Sequence, residues 1–164
     1  MDLELTYDKI YRYCYYKLNN RELAEDVTQE AFLRFFKSGY EDRGKEMQYL
    51  YTIAKNLCMD EFRKRKYETV LSKENMNNIS FSEDGEGSSG FAVTYESGFE
   101  KKVVNDISVK DALQKLPEED REILLMRFAN EEAISVIAEV YGMSRFALYR
   151  KIKQALNRIR ILLE

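Results

Sequence analysis

The 164-residue sequence contains no histidine, only one proline and only two cysteines. Without histidine, the chain lacks the side chain that most often serves as a general base or a metal ligand near neutral pH. Cys14 and Cys58 lie far apart inside helical patterns, which favours buried reduced thiols over a redox pair or a metal site. We therefore predict no cofactor and no metal site, and the composition gives little support to an enzyme.

Helix-breaking residues and long apolar runs are also scarce. One proline and seven glycines in the whole chain predict a mostly helical protein, because these two residues are the poorest helix formers. No apolar run is long enough to span a bilayer, and no charged-then-apolar leader begins the sequence, so we expect a cytosolic protein without membrane insertion. The length suits one domain or two small ones.

The charged residues are unevenly distributed, although the net charge of −3 does not by itself indicate nucleic-acid binding. From Glu74 to Glu100 every charged residue is acidic, whereas after Ser144 only Glu164 is. A basic bias of this kind is what a phosphate backbone attracts. The basic residues that follow Ser144 are Arg145, Arg150, Lys151, Lys153, Arg158 and Arg160.

Composition divides the chain into a helical segment over residues 1–66, a linker over 67–107 and a second helical segment over 108–164. The linker is acidic and rich in glycine and serine, so we predict that it is flexible. The helices predicted for the first segment are Tyr7–Leu18, with Thr6 near its cap, Arg21–Lys37 and Glu46–Arg65. Their predicted core stripes are Leu23, Val27, Ala31 and Phe35, and Met47, Leu50, Ala54 and Leu57.

The last segment carries a helix-turn-helix pattern, in which residues 134–152 read ISVIAEVYGMSRFALYRKI. Gly142 stands where the turn needs a positive φ, and Ser144 is placed to cap the second helix. Leu148 and Ile152 give that helix a buried side. In this motif the second helix enters the DNA major groove. The alternative is a plain helical hairpin with a solvated basic face.

Three stretches in the right order resemble the extracytoplasmic-function (ECF) sigma factors of bacterial RNA polymerase. Arg21–Arg34 (RELAEDVTQEAFLR) resembles the family's region 2 pattern ELAEDLVQETFLR, and Tyr49–Arg63 (YLYTIAKNLCMDEFR) follows WLYRIARNLALDHLR. Ala112–Phe128 (ALQKLPEEDREILLMRF) is similar to the region 4 opening ALAALPPREREVLLLRY. The resemblance implies an all-α protein with two small helical domains, a three-to-four-helix region 2 bundle and a region 4 helix-turn-helix, joined by a flexible acidic linker.

The same resemblance implies a function. The chain would bind core RNA polymerase and direct promoter recognition, −10 melting and transcription initiation. The family docks one helix face of region 2 on the clamp helices of the polymerase. On spacing, the matching residues share one face opposite the predicted core stripe, although an ordinary solvated face has the same spacing. These residues are Asp26, Gln29, Glu30 and Leu33.

The third helix would handle the −10 element. Lys55 and Arg63 are suited to phosphates, and Asn56 to a base edge. Tyr49 stands where the family often has tryptophan, so an aromatic ring there would stack on an unpaired base as the duplex opens. Packing of Tyr49 in the core is an equally good interpretation.

The second helix of the helix-turn-helix would read the −35 element, and here the sequence departs from the family. The usual SEGTVKSRL becomes SRFALYRKI, so that Phe146 replaces a glycine and Tyr149 replaces a lysine. Promoter preference is therefore not transferable, and Phe146 serves either apolar contact with thymine methyl groups or packing. The candidate groove-facing residues are Arg145, Phe146, Tyr149, Arg150 and Lys153.

Further contacts and other functions remain open at this level. The family's linker threads into polymerase channels that otherwise hold nucleic acid, and the apolar side of residues 123–128 would meet the polymerase flap. A stand-alone helix-turn-helix regulator would instead bind a palindromic site as a dimer. An enzyme of nucleic-acid processing has little support, because the sequence has no phosphate-cradling glycine loop. RNA polymerase and promoter DNA are the predicted partners, and the sequence leaves open whether an anti-sigma protein also binds.

Overall fold

The computed structural model describes residues 1–41, 43–75 and 103–164. These residues are helical with no strand among them, so the all-α prediction is confirmed. Contacts divide the described residues into two compact units: the first contains residues 1–41 and 49–75, and the second contains residues 43–48 and 103–164. The helices are α1 (Leu3–Leu18), α2 (Arg21–Lys37), α3 (Glu46–Asn75), α4 (Val103–Gln114), α5 (Glu118–Leu124), α6 (Ile134–Tyr141) and α7 (Arg145–Leu163), with a π-helical turn at Leu125–Ala129.

Helix α1 begins earlier than predicted, because its cap is Asp2 and not Thr6. The Asp2 Oδ1 atom accepts a hydrogen bond from the Leu5 backbone N–H at 3.2 Å. Thr6 is buried within the helix, and its hydroxyl donates to the Asp2 carbonyl oxygen at 2.7 Å. Aspartate is at least as good an N-cap as threonine, and its negative charge suits the helix dipole. The predicted cap at Thr6 was therefore wrong.

Helix α2 has the predicted bounds and packs on α1. The Asn20 side chain caps it by accepting a hydrogen bond from the Leu23 backbone N–H at 3.0 Å. Leu23 itself is only half-buried, so the core face is centred slightly away from the predicted stripe. The buried residues of α2 are Ala24, Val27, Thr28, Ala31, Phe32 and Phe35.

Helix α3 continues to Asn75, so the predicted end at Arg65 was wrong. Lysine and arginine are good helix formers, and no glycine or proline interrupts the chain after the basic run. Arg65 is tied back to the bundle, since its Nη1 donates to the Leu18 carbonyl oxygen at 3.2 Å. The boundary proposed at residue 66 therefore lies inside a helix, and a linker remains a proposal for residues 76–102, which lie outside the described residues.

The inner face of α3 agrees with most of the prediction. Met47 is half-buried, while Tyr51 and Cys58 join the core beside the predicted apolar residues. Cys14 and Cys58 are both buried thiols, as predicted. Tyr13 and Tyr51 pack edge to face with ring centroids 5.5 Å apart. In the described ranges, no helix is both long enough and apolar enough to cross a membrane.

The second unit is built around α7. Its core includes Ile123 and Met126 of the α5–π segment, Ile137 of α6, and Leu148 of α7. Helix α4 begins at Val103 and ends at Gln114. Pro117 then precedes α5, whose first turn contains three acidic residues that suit the helix dipole. These helices hold the helix-turn-helix against a single apolar core.

Candidate functional site

The predicted polymerase-binding face of α2 is displayed on the surface of the first unit. Asp26, Gln29 and Leu33 are exposed, and Glu30 is half-buried. Glu30 is held by Arg34, whose Nε lies 2.9 Å from Glu30 Oε1. An exposed pair one helical turn apart contributes little stability but restrains the carboxylate. Asp26 is thus the less constrained acid of this face.

An apolar side chain that sequence reasoning missed extends the same face. Phe36 is exposed and lies one turn beyond Leu33, so that Gln29, Leu33 and Phe36 follow the i, i+4, i+7 spacing of one helix row. Phe36 also packs on Phe35, with ring centroids 5.5 Å apart. The signal was present in the sequence, because Phe36 falls off the four-residue core stripe. The face therefore combines acidic, amide and apolar groups.

Tyr49 belongs to an aromatic cluster at the start of α3. Its ring stacks on Tyr40 with centroids 5.4 Å apart and an interplanar angle of 22°. The Phe35 ring packs against the Tyr49 ring at an angle, with centroids 5.8 Å apart. Tyr49 remains 38% exposed, so it is neither a fully buried core residue nor a freely rotating surface ring. The packing holds an aromatic face in place at the surface.

The other predicted −10 residues do not all lie on one row. Tyr49, Asn56 and Arg63 are spaced by seven residues and share a face, and Asn56 and Arg63 are exposed. Lys55 is half-buried on the neighbouring row. Arg63 lies 3.7 Å from the Asp60 carboxylate, a weak exposed pair that a phosphate would readily displace.

The turn of the helix-turn-helix has the predicted geometry. Gly142 adopts φ 64°, the left-handed conformation that a side chain disfavours. Ser144 caps α7, since its Oγ accepts a hydrogen bond from the Ala147 backbone N–H at 3.1 Å. Leu148 and Ile152 are buried. The local chemistry of the turn thus fixes where α7 begins and which of its sides faces the core.

The outer side of α7 carries the predicted groove-facing residues. Phe146, Tyr149, Arg150 and Lys153 follow the i, i+3, i+4, i+7 spacing and are all exposed, with Arg145 exposed beside them. Phe146 is 81% exposed and Tyr149 is 56% exposed. The structure therefore brings the −35 candidates onto one continuous surface.

Two of the six basic residues after Ser144 are paired within the unit, which the sequence did not indicate. Lys151 Nζ lies 3.1 Å from Asp120 Oδ1 and 3.4 Å from Glu119 Oε1, and Arg158 lies 3.9 Å from Asp120 Oδ2. Partial burial works to lower the pKa of Lys151, but the Asp120 hydrogen bond and the two carboxylate charges outweigh it and raise that pKa. Asp120 is buried, so this pairing anchors α7 on α5.

Asp120→Asn is expected to loosen α7 on its core. The change removes the buried charge that faces Lys151 and Arg158, at a cost of about 1–2 kcal/mol, because both cations still reach solvent. Hydrogen exchange of α7 backbone amides in the full chain should speed up by roughly 5- to 30-fold. Glu119→Gln is the control, since Glu119 is exposed and should change exchange by less than about threefold. Equal effects of the two changes would contradict the anchoring role of Asp120.

An apolar pocket of about 220 Å³ lies beside the π-helical turn of the second unit. Ile123 and Met126 are buried in the core and do not line this pocket. Phe128 is exposed and lines the pocket, together with Leu113, Leu125 and Leu156. The apolar surface predicted for residues 123–128 is therefore reduced to Phe128 and the pocket beside it.

Two family models match the chain, one over each helical segment. Residues 3–67 match Sigma-70 region 2, and residues 112–160 match Sigma-70, region 4. The α2 face, the exposed side of α3 as far as residue 67, and the groove-facing side of α7 all lie within the matched ranges.

Individual relatives agree with these matches. The chain is 30% identical to the ECF RNA polymerase sigma factor SigW of Bacillus subtilis over 140 residues, which cover 81% of this chain and 71% of SigW. It is 26% identical to the ECF RNA polymerase sigma factor BldN of Streptomyces coelicolor over 147 residues, which cover 86% of this chain but 51% of BldN. The chain therefore spans about half the length of BldN.

The fold is also found in a solved structure. The sigma factor RpoE of Bartonella quintana, crystallised in complex with the anti-sigma factor NepR, matches with a TM-score of 0.68 and 21% identity. The match covers 99% of this chain and 94% of that chain. At this identity the likeness concerns the fold alone.

Proposed function

Because the chain belongs to the ECF group of RNA polymerase sigma factors, we propose that its three exposed surfaces on α2, α3 and α7 bind core polymerase, the −10 element and the −35 element. The observation that carries the proposal is that each surface lies in a matched sigma region and is exposed as that role requires. The protein acts as a specificity subunit for transcription initiation and not as a catalyst. Its partners are core RNA polymerase and promoter DNA, which places its action in the cytoplasm.

The α2 face is the proposed contact with core polymerase. Asp26 supplies an exposed acid, while Gln29 adds an amide and Leu33 and Phe36 add apolar area. Protein interfaces commonly surround an apolar contact with polar groups that set orientation and partner choice. Exposed apolar side chains at Leu33 and Phe36 gain stabilisation only when a partner covers them. The composition of this face therefore suits a protein partner better than nucleic acid.

The exposed row of α3 is the proposed −10 contact. Tyr49 presents a ring held by Tyr40 and Phe35, so little rotamer freedom is lost when a base stacks on it. Asn56 is placed to read a base edge, and Arg63 to neutralise a phosphate. Capture of an unstacked base offsets the cost of opening the duplex, and the reaction needs no hydrolytic residue.

The pocket beside Phe128 is the proposed second contact with polymerase. The resemblance implies that this part of the chain meets the polymerase flap. An exposed phenylalanine next to an apolar pocket favours a partner with an apolar helix or loop tip. An anti-sigma protein is a further proposed partner of the chain, which would compete for one of the polymerase-binding surfaces. RpoE was crystallised with such a protein.

Reconstitution with core RNA polymerase tests the proposed function. The holoenzyme should initiate transcription from a promoter library, whereas core polymerase alone should not. The free chain should bind the same promoters only weakly, because each unit offers a small DNA-contacting area. Tight, dimer-dependent binding of the free chain to a palindrome would favour a stand-alone regulator instead, a function that the sigma matches over both segments do not favour.

Arg150 and Lys153 are expected to make different kinds of contact with the −35 element. Arg150→Ala should relax preference at one promoter position by roughly 1–3 kcal/mol, because a guanidinium fork grips guanine with two hydrogen bonds. Lys153→Ala should weaken binding at all sequences and reduce the slope of log affinity against log salt by about one unit. Holoenzyme affinity across a salt series and a panel of −35 variants measures both effects. Parental binding by both variants would exclude this side of α7 as the reading surface.

A further inference from the structure

Phe146 is placed where a phenyl ring contributes least to the stability of its own unit. At 81% exposure it is the most exposed large apolar side chain in the described part of the chain. A ring left in water forgoes the stabilisation that burial would give it. The interpretation that Phe146 serves packing within the second unit therefore does not account for its position. A bound partner that covers the ring would.

The position of Phe146 on α7 identifies that partner. It lies in the first turn of the helix, on the opposite side from the buried residues Leu148 and Ile152. In a helix-turn-helix, the N-terminal residues of the second helix approach the base edges in the major groove. Arg150, one turn along the same row, provides the positive charge that a DNA surface requires.

A phenyl ring has no hydrogen-bonding group, which restricts what it can recognise there. In the major groove the base edges present donors, acceptors and one apolar group, the C5-methyl of thymine. We propose that Phe146, with Tyr149 beside it, makes the −35 preference of this sigma factor depend on thymine methyl groups. The proposal rests on the proposed function, since it requires α7 to read the −35 element.

The exposed side of α7 combines positive charge with an apolar ring. Lys151 and Arg158 lie on the flank of α7 that faces Asp120, whereas Phe146 shares its exposed side with Arg145, Arg150 and Lys153. The cations on this side attract the phosphates, and the ring adds a contact that depends on the base sequence. An apolar contact of this kind is also insensitive to salt, unlike a phosphate contact.

Thymine-to-deoxyuracil substitution tests the proposal, because it removes only the methyl group. Reconstituted holoenzyme first selects its −35 element from a randomised promoter library. Each thymine of the selected element, on either strand, is then replaced singly by deoxyuracil, and holoenzyme affinity is measured by competition. At one or two positions the parent should lose about fourfold in affinity, the value for one buried methyl group. Phe146→Ala holoenzyme should bind the thymine and deoxyuracil promoters equally.

Two further variants separate methyl recognition from other effects. Phe146→Leu keeps an apolar side chain and should retain part of the methyl sensitivity. Ile161→Ala removes an exposed apolar side chain near the other end of α7 and should retain all of it. The proposal is overturned if the parent binds thymine and deoxyuracil promoters equally at every position. It is also overturned if Phe146→Ala keeps the parent's sensitivity.

The same experiment distinguishes failure of the inference from failure of the proposed function. A holoenzyme that transcribes from its selected promoters but shows no methyl sensitivity contradicts only the role of Phe146. A chain that supports no transcription from any member of the library contradicts the proposed function, and the inference with it. Because Phe146 is exposed, its variants should fold like the parent, and circular dichroism of each free variant verifies this.

Discussion

Replacing Asp26 and Glu30 with lysine is expected to reduce affinity for core RNA polymerase by roughly 30-fold or more, because the change removes two attractive charges and introduces two repulsive ones at the proposed interface. The fold should remain intact, since both residues lie on the surface of α2. Glu30 also loses its pair with Arg34, an exposed contact whose removal costs only a few tenths of a kcal/mol. Binding to core enzyme by fluorescence anisotropy measures the loss.

The structure supplies matched controls for this charge reversal. Asp26→Lys alone is the cleaner single change, because Asp26 does not share the Glu30–Arg34 pair. Asp8→Lys reverses an exposed acid on α1 in the same unit and should leave core affinity within about twofold. Parental core affinity in a well-folded Asp26/Glu30 double variant would remove the α2 face from the polymerase interface.

Tyr49→Ala is expected to reduce promoter opening by roughly 5- to 150-fold, the equivalent of about 1–3 kcal/mol of base–aromatic stacking. Closed-complex binding should change little, because α7 would still read the −35 element. Permanganate reactivity of unpaired thymines in the −10 region measures opening. A promoter with a pre-opened mismatched −10 region should recover part of the loss, since the duplex no longer has to be unstacked.

Phe62 offers a matched control for Tyr49. It lies on another side of α3 and has the same 38% exposure, so Phe62→Ala should carry a similar packing penalty without the opening defect. Tyr49→Trp should retain opening, because a larger ring can still stack on a base. An equal opening defect in Phe62→Ala and Tyr49→Ala would mean that Tyr49 acts through stability and not through stacking.

Several features of the fold followed from local sequence chemistry. The bounds of α2 were predicted correctly, because Asn20 caps its start and Gly39, with φ 67°, follows its end, and both act within a few residues of the helix ends. The end of α3 was not, because a run of lysine and arginine was interpreted as a boundary although both residues favour helix. The cap of α1 was also wrong, because Asp2 can cap a helix as well as Thr6 can, and only the structure shows Thr6 buried within α1.

The candidate site was predictable to a similar extent. Helix spacing placed Asp26, Gln29 and Leu33 on one exposed face, because spacing follows directly from the period of the helix. It could not assign Tyr49, which depends on rings from α2 and from the segment after it. Phe36 was not predicted, although it lies outside the four-residue spacing of the core stripe.

The sequence by itself determined the helical class, the helix-turn-helix and the family, because caps, turn glycines and apolar spacing act within a turn or two of the chain. Only the tertiary structure decided which charges and rings are available to partners. Asp120 pairs with Lys151 and Arg158, Tyr40 and Phe35 hold Tyr49 in place, and the core leaves Phe146 exposed. The ion pairs and the ring packing join residues from different helices and loops, and the exposure of Phe146 depends on which side of α7 the core covers. None of these features is specified until the helices pack.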